Sequence, residues 1–341
     1  MKIILQQLAE QQSLSEESVI EAMDSIFEKE ATESEIAAFL MALKIKGETA
    51  EELSGLVKAM RKRTLPFTKQ LPNVLDNCGT GGDGSKSFNI STTSAFVIAG
   101  AGIPVAKHGN RSISSKTGSA DVLEQLGISL DYSPELAEEL LEQIGICFMF
   151  APHVHPYMKK IMKVRSDLRI PTIFNLIGPL TNPVPLENQL IGIYREDYLI
   201  TFAEVLKSLG RKRAIVLHGA GNMDEASLQG ENKLVILADN SIAEMTLHPE
   251  EVGLPVYAAD KIIGGNAVEN AGILKKVLNG EHDAYRDTVL LNAGLGIFTG
   301  GAASSIQEGI QLAKESIDSG EAFKKLLLLK EASKKYKQEV M

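Results

Sequence analysis

From residue 74 onward, the sequence alternates between short apolar runs and segments with helical periodicity. The runs cover residues 74–78, 103–107, 146–150, 189–194, 214–218 and 234–238. Such alternation is typical of an α/β domain in which helices cross between the strands of a mainly parallel sheet. The hydrophobic fraction of 44% is ample for a sizeable core. We therefore predict an α/β domain over residues 73–341, ending in helices from about residue 303.

Residues 1–65 carry helical signals only. Thr32 with Glu35, and Thr49 with Glu52, each form the pattern of a capping box at a helix start. Gly47 predicts the end of the first of these two helices. These signals predict a small all-helical N-terminal domain. Residues 171–187, rich in Pro, Gly and Asn, predict a hinge or crossover between the two domains.

A glycine-rich stretch, residues 76–84, follows the first apolar run and precedes a helix start rich in hydroxyl groups, residues 87–94. A glycine turn between strand and helix lets backbone N–H groups approach an anion. A second stretch, residues 107–116, joins Lys, His and Arg with several serines. Two anion-binding stretches predict a ligand with phosphates at both ends.

The glycine-rich stretch admits other interpretations. Gly79, Gly81 and Gly84 satisfy the dinucleotide fingerprint, but the region about 20 residues later is basic where that motif needs an acid. The P-loop pattern fails by one residue, because Ser85 separates Gly84 from Lys86. An ordinary glycine turn is the third interpretation, and the second basic stretch argues against it.

Two adjacent acids, Asp224 and Glu225, follow an apolar run and a turn over residues 218–222. Parallel-sheet proteins bind ligands just beyond the carboxyl ends of their strands. Carboxylate oxygens suit Mg²⁺, which commonly bridges a carboxylate to a substrate phosphate. The alternative is an acid pair that complements a helix dipole.

Arg165 lies on a predicted helix after Pro156. Its guanidinium could hold a substrate carboxylate with two N–H groups, and a charge on a surface helix is the alternative. His153 and His155 have no acid or Cys at a metal-binding spacing, so we predict a pocket wall or a structural role. No motif for covalent catalysis occurs. Phosphates, magnesium and a carboxylate clamp together indicate transfer chemistry with a good leaving group.

The formal net charge of −9 argues against general nucleic-acid binding. Cys78 and Cys147 match no zinc or redox spacing and are expected to be buried free thiols in a reducing cytoplasm. The first residues turn polar too soon for a signal peptide, and no apolar run reaches the ~20 residues of a membrane span. We therefore expect a cytoplasmic protein with no nucleic-acid or membrane partner.

Six stretches together resemble the anthranilate phosphoribosyltransferase family and occur in the order found there. They are residues 79–84, 88–92, 107–112, 118–123, 175–183 and 224–225. The resemblance implies a small helical domain joined to a larger α/β domain, with the active site in the cleft. This fold is shared with pyrimidine nucleoside phosphorylases and differs from the common phosphoribosyltransferase fold. The implied reaction is Mg²⁺-dependent transfer of the 5-phosphoribosyl group from phosphoribosyl pyrophosphate to the amine of anthranilate, in tryptophan biosynthesis.

The resemblance also implies roles for individual residues. Phosphoribosyl pyrophosphate would contact Gly79, Gly82, Asp83, Ser87, Asn89, Ile90, Ser91, Thr92, Lys107, His108, Gly109, Asn110, Arg111, Ser112, Ile113, Ser114, Ser115 and Ser119. Anthranilate would contact Gly79, Asn110 and Arg165, and two Mg²⁺ ions would be held by Ser91, Asp224 and Glu225. His108 is a candidate proton acceptor late in the reaction, and a hydrogen bond to phosphate is its alternative role. Members of the family are usually homodimers through the helical domain.

The departures from the family are few. Ser87 stands where many members have Thr, Met223 where Leu is usual, and Tyr157 where many have Ala. Of these three departures, only Tyr157 affects what the resemblance implies, because it bears on the shape of the aromatic-acid entrance. Two alternative functions remain: a pyrimidine nucleoside phosphorylase, disfavoured by residues 108–111, and a non-enzymatic nucleic-acid-binding relative, disfavoured by the acidic charge and the intact acid pair.

Overall fold

The first four helices form from signals that are local in sequence. In the structure, a computed structural model that describes residues 1–64, 67–111 and 117–339, these helices are α1 (Lys2–Ala9), α2 (Glu16–Phe27), α3 (Glu33–Lys46) and α4 (Ala50–Arg61). Both predicted capping boxes are present, at Thr32 and Thr49. Gly47 ends α3 with φ 86°, a conformation that glycine adopts without strain.

The apolar runs form one sheet, which has seven strands in the described part of the chain. They are β1 (Leu75–Asn77), β2 (Val105–Gly109), β3 (Ile146–Phe150), β4 (Asn188–Gly192), β5 (Arg213–His218), β6 (Asn232–Ala238) and β7 (Ser241–Leu247). The spatial order is β3-β2-β1-β4-β5-β6-β7. The first five strands pair in parallel, while β6 and β7 pair antiparallel. The mainly parallel sheet is confirmed, and β7 is an edge strand that no predicted run covers.

Further helices cover the sheet, ten of them among the described residues. They are α5 (Ile90–Gly100), α6 (Ser119–Gln125), α7 (Pro134–Gln143), α8 (Ala151–Val154), α9 (Lys159–Leu168), α10 (Leu199–Ser208), α11 (Ala267–Leu278), α12 (Ala284–Thr299), α13 (Ile306–Asp318) and α14 (Glu321–Glu339). α5 packs against α12, α13 and α14 over one core. The last two helices confirm the predicted helical tail. Within the described ranges, no helix is long and apolar enough to cross a membrane.

The N-terminal helices share a second core with the α/β part of the chain. Buried side chains of α1–α4 cluster with those of α9 and α10 and with one face of the sheet, including Ile191, Val216 and Val235. Residues 173–181 form two short 3-10 turns that contact α3 and α4 on one side and β2 on the other. The segment predicted as a hinge or crossover is therefore packed between the helices and the sheet.

Candidate active site

The sheet order places a crevice at the carboxyl end of β1. The chain passes from β1 to β2 and β3 on one side, and then returns to β4 and β5 on the other. At such a reversal the chain leaves two neighbouring strands in opposite directions, which opens a ligand crevice at their carboxyl ends. The loops that follow β1, β4 and β5 line this crevice.

The loop after β1 is shaped by glycines that another residue could not replace without strain. Gly81, Gly82 and Gly84 have φ values of 70°, 81° and 73°. The Thr80 N–H donates to the carbonyl of Gly192 at 3.0 Å, which ties the loop to the end of β4. A Cβ on Gly79 would overlap the Asp224 carboxylate. Glycine at this position allows the acid pair to approach the loop.

Asp224 and Glu225 face this loop and the start of α5. Asp224 Oδ2 accepts from the Gly81 N–H at 2.6 Å, and Glu225 Oε1 accepts from the Ser91 N–H at 3.2 Å. Burial, together with repulsion from Glu225, raises the pKa of Asp224 well above its usual range. Burial also raises the pKa of Glu225 to about 7, although nearby Lys107 opposes the shift. Lys107 offsets only part of the cost of ionising the pair, so a further cation would stabilise its ionised form.

The donor chemistry of this pair fits Mg²⁺, which takes oxygen ligands and keeps several from water or substrate phosphate. In the described ranges, no group of three or more His, Cys, Asp or Glu side chains is placed to hold a metal. Two adjacent carboxylates beside the glycine loop therefore suit Mg²⁺ only when a ligand or water supplies further oxygens.

Lys107 brings a buried cation to the same crevice. Its side chain is 3% exposed, and Nζ donates to the carbonyl of Asn77 at 3.0 Å. The Asn77 amide in turn donates to the carbonyl of Ser91 at 2.8 Å, which fixes the start of α5 against β1. Thr92 is also buried, and its hydroxyl has no hydrogen-bond partner among the described residues. A buried cation on β2 and an unpartnered hydroxyl at the start of α5 suit an anionic ligand.

The remaining residues of the loop and of the start of α5 differ in which of their groups can contact a ligand. Ser87 Oγ accepts from the Ser85 hydroxyl at 3.1 Å, and Asp83 Oδ1 accepts from the Ser85 N–H at 3.0 Å. Ile90 lies in the core with 1% exposure, and its N–H donates to the carbonyl of Phe88. A contact between Ile90 and a ligand would therefore involve little more than its backbone.

His108 is buried and electrically neutral at pH 7. Its Nδ1 lies 3.0 Å from the carbonyl of Gly178, so Nδ1 carries the proton and donates. Its Nε2 is buried with no partner among the described residues. Burial, with a smaller contribution from the neighbouring ring of His155, lowers the pKa of His108 to about 3. Nε2 can therefore accept a hydrogen bond, but it is a weak base.

The second anion-binding stretch is described only in part. Ser112, Ile113, Ser114 and Ser115 lie outside the described residues. Asn110 follows β2 at Gly109, and its carbonyl accepts from the Ser119 hydroxyl at 3.2 Å. Arg111 pairs with Asp121 at 2.9 Å and with Glu124 at 2.6 Å. Its charge is thus directed to α6, so a contact with phosphate would require these ion pairs to open.

Arg165 is a half-buried cation on α9. Its Nη2 donates to Asn175 Oδ1 at 3.2 Å, and its guanidinium lies 5.7 Å from the centre of the Phe174 ring. Within the described ranges, no carboxylate pairs with it, and burial lowers its pKa. The same segment supplies Gly178, the partner of His108. Residues 173–181 thus connect the guanidinium to the crevice.

Tyr157 is held against the N-terminal helices. Its hydroxyl donates to the carbonyl of Met60 at 2.6 Å and accepts from His155 Nδ1 at 2.7 Å. Its ring meets Phe27 edge-on, with centroids 4.8 Å apart. His155 is buried, whereas His153 is exposed. Cys78 and Cys147 are free thiols, the first half-buried and the second buried.

The arrangement, a helical bundle joined to a mainly parallel α/β domain, is that of a class of glycosyl-transferring enzymes. Residues 71–323 match the "Glycosyl transferase family, a/b domain", and residues 2–64 match the "Glycosyl transferase family, helical bundle domain". An anthranilate phosphoribosyltransferase of Bacillus mycoides (strain KBAB4) is 57% identical over 333 residues, 98% of each chain. The chain belongs to the anthranilate phosphoribosyltransferase family.

Solved structures agree with this assignment. The crystal structure of anthranilate phosphoribosyltransferase from Thermus thermophilus is 38% identical, with a TM-score of 0.92, and the match covers 97% of this chain and 99% of that one. The enzyme from Saccharomyces cerevisiae in complex with PRPP and Mg is 27% identical, with a TM-score of 0.87 and 94% of each chain covered. The same enzyme in complex with 4-fluoroanthranilate is 26% identical, with a TM-score of 0.83, covering 94% of this chain and 92% of that one.

Proposed function

We propose that this protein transfers the 5-phosphoribosyl group of phosphoribosyl pyrophosphate to the amine of anthranilate, in tryptophan biosynthesis. The observation that carries the proposal is that the acid pair contacts both the glycine loop, Gly81 with Asp224, and the start of α5, Ser91 with Glu225. It brings an anion-binding loop and a cation-binding pair to one crevice, as a pyrophosphate leaving group requires. The family assignment supports it independently.

The phosphates of the donor substrate are held by the loop after β1 and the start of α5, with Lys107 as the buried cation. Backbone N–H groups there can neutralise the departing pyrophosphate. Ser91, Asp224 and Glu225 would hold Mg²⁺, in two ions, and Mg²⁺ when bound supplies charge neutralisation of the leaving group. The yeast relative is described in complex with PRPP and Mg, which supports the use of Mg²⁺ with this substrate.

The acceptor is held from the other side by Arg165, whose guanidinium pairs with no carboxylate among the described residues. The aromatic amine of anthranilate is uncharged at pH 7 and attacks the anomeric carbon as the bond to pyrophosphate breaks. The new nitrogen–carbon bond makes the nitrogen strongly acidic. His108 Nε2, whose pKa is lowered to about 3, can accept only from so strong an acid. Catalysis is then positioning and electrostatic stabilisation.

The activity is tested by the loss of anthranilate fluorescence. With phosphoribosyl pyrophosphate and Mg²⁺ present, we expect the fluorescence to fall, and we expect EDTA to stop the loss. In parallel, the protein is given thymidine or uridine with inorganic phosphate. Release of free base, with no loss of anthranilate, would instead establish a pyrimidine nucleoside phosphorylase.

The chain assembles as a homodimer through α1–α4 and works in the cytoplasm. Ile3 on α1 and Ile45 on α3 support the dimer, because their side chains are 72% and 69% exposed. The two free cysteines, Cys78 and Cys147, support a reducing compartment.

Light scattering at micromolar concentration is expected to give twice the mass of one chain. Replacing both Ile3 and Ile45 with Lys should shift the protein toward monomer, since each lysine would place a charge in an apolar contact. Val268→Lys, an exposed site on α11, is the matched control and should remain dimeric. A monomeric wild-type protein would disprove the assembly.

A further inference from the structure

The buried side-chain amide of Asn270, on α11, lies near the two anion-binding stretches although it is far from them in sequence. Asn270 is 3% exposed, and its Oδ1 accepts from the Gly265 N–H at 2.7 Å. A backbone N–H can only donate, so this contact fixes which end of the Asn270 amide is oxygen. The Asn270 Nδ2 then donates to Asn89 Oδ1 at 2.8 Å.

This contact in turn fixes the amide of Asn89. Because the Asn89 oxygen accepts from Asn270, the Asn89 NH₂ group points to the opposite side, where it lies 3.4 Å from the carbonyl of Thr117. Thr117 is the first described residue after the second anion-binding stretch. The Asn89 donor is thus directed between the two stretches.

The segment before α11 also contacts residues that flank both stretches. The Phe88 N–H donates to the carbonyl of Ile262 at 3.1 Å, and the Gly264 N–H donates to the carbonyl of Lys86 at 2.8 Å. The Thr117 hydroxyl donates to the carbonyl of Gly265 at 2.9 Å. A Cβ on Gly264 would lie 2.7 Å from the Phe88 Cα. These contacts therefore have a fixed, close-packed geometry.

We infer that Asn270 is a positioning residue for phosphoribosyl pyrophosphate, acting by holding the Asn89 amide with its NH₂ toward the phosphates. This inference rests on the proposed function, in which Asn89 contacts that substrate. Phosphate oxygens require donors, and a reversed Asn89 amide would present them with an acceptor. Asn270 acts only through Asn89, so its effect depends on the Asn89 side chain.

A double-mutant cycle tests this dependence. N270A is expected to raise the KM for phosphoribosyl pyrophosphate by roughly threefold to tenfold, with the KM for anthranilate unchanged. In an N89A background, N270A should add less than about twofold to the same KM. The melting temperature should fall by a similar amount in both backgrounds, because the contact with Gly265 is lost in each.

N266A is the matched control. The Asn266 side chain caps α11 by accepting from the N–H groups of Val268 and Glu269. Its loss should lower the melting temperature and leave both KM values unchanged. Should N270A fail to fold, N270D replaces it, because Asp keeps an acceptor for Gly265 and offers no donor to Asn89. N270D should then raise the KM for phosphoribosyl pyrophosphate at least as much.

The outcomes distinguish the proposed role of Asn89 from the inferred role of Asn270. If N89A leaves the KM for phosphoribosyl pyrophosphate unchanged, the proposed assignment of Asn89 to that substrate is wrong. If N89A raises it and N270A does not, the inference about Asn270 is wrong on its own. That inference is also wrong if N270A adds an equal factor in both backgrounds.

Discussion

Replacing Asp224 with Asn and Glu225 with Gln together is expected to lower Mg²⁺-dependent kcat/KM by roughly 100-fold or more. That is the scale seen when a group that stabilises transition-state charge is removed. The amides keep oxygen acceptors for the N–H groups of Gly81 and Ser91, so the loop geometry is retained. A magnesium titration of both proteins measures the effect. Matching activity at every magnesium concentration would contradict a metal role for the pair.

The same double variant has a readout that needs no substrate. In the metal-free fold, burial raises the pKa of Asp224 above its usual range and that of Glu225 to about 7. Because the pKa is raised in the folded state, the contribution of the protonated acid pair to the free energy of unfolding is present at low pH. This contribution is lost as pH rises through about 7. At pH 8, without metal, the amide variant should therefore melt no lower than wild type. Added Mg²⁺ should raise the melting temperature of wild type only.

Arg165→Ala is expected to raise the KM for anthranilate by roughly tenfold to a hundredfold, because a charge-assisted hydrogen-bonded pair contributes about 1.5–3 kcal/mol. The KM for phosphoribosyl pyrophosphate should stay nearly unchanged, since the glycine loop and Lys107 hold that substrate. Arg165→Lys should recover only part of the loss, because an ammonium group lacks the two parallel N–H donors. Steady-state kinetics with each substrate varied in turn measure the split.

Lys159→Ala is the matched control for this variant. Lys159 is an exposed cation at the start of the same helix, so its removal changes the local charge without removing a clamp. Both KM values should remain at the wild-type level. If Arg165→Ala instead raises the KM for phosphoribosyl pyrophosphate and leaves the KM for anthranilate unchanged, the two half-sites are assigned in reverse.

Local signals were enough to predict most of the fold. The capping boxes and apolar runs depend on neighbouring residues, and they correspond to the observed helices and the first six strands. β7 was missed because its side chains are mostly exposed and form no apolar run. A signal was available in Asp239 and Asn240, both with positive φ, which suit the two-residue turn of a hairpin.

The contacts within the site could not be predicted in the same way. The sequence places Asp224 and Glu225 beyond a strand, but it gives no sign that their partners are the N–H groups of Gly81 and Ser91. Asn270 was missed altogether, because a buried amide in a helix carries no motif. Arg111 looks like a phosphate ligand in sequence, and only the structure shows that α6 supplies its partners.

The position of β1 in the sheet has a consequence for how the chain is made. β1 pairs with β2 on one edge and β4 on the other, and β4 is synthesised more than 100 residues after it. On the ribosome, one edge of this central strand therefore stays open for most of that interval, and unpaired edges favour association between chains. The acid pair is synthesised after β4 and β5 but before β6 and β7, so a nascent chain gains this part of its site only after the strands on both sides of β1 have been made.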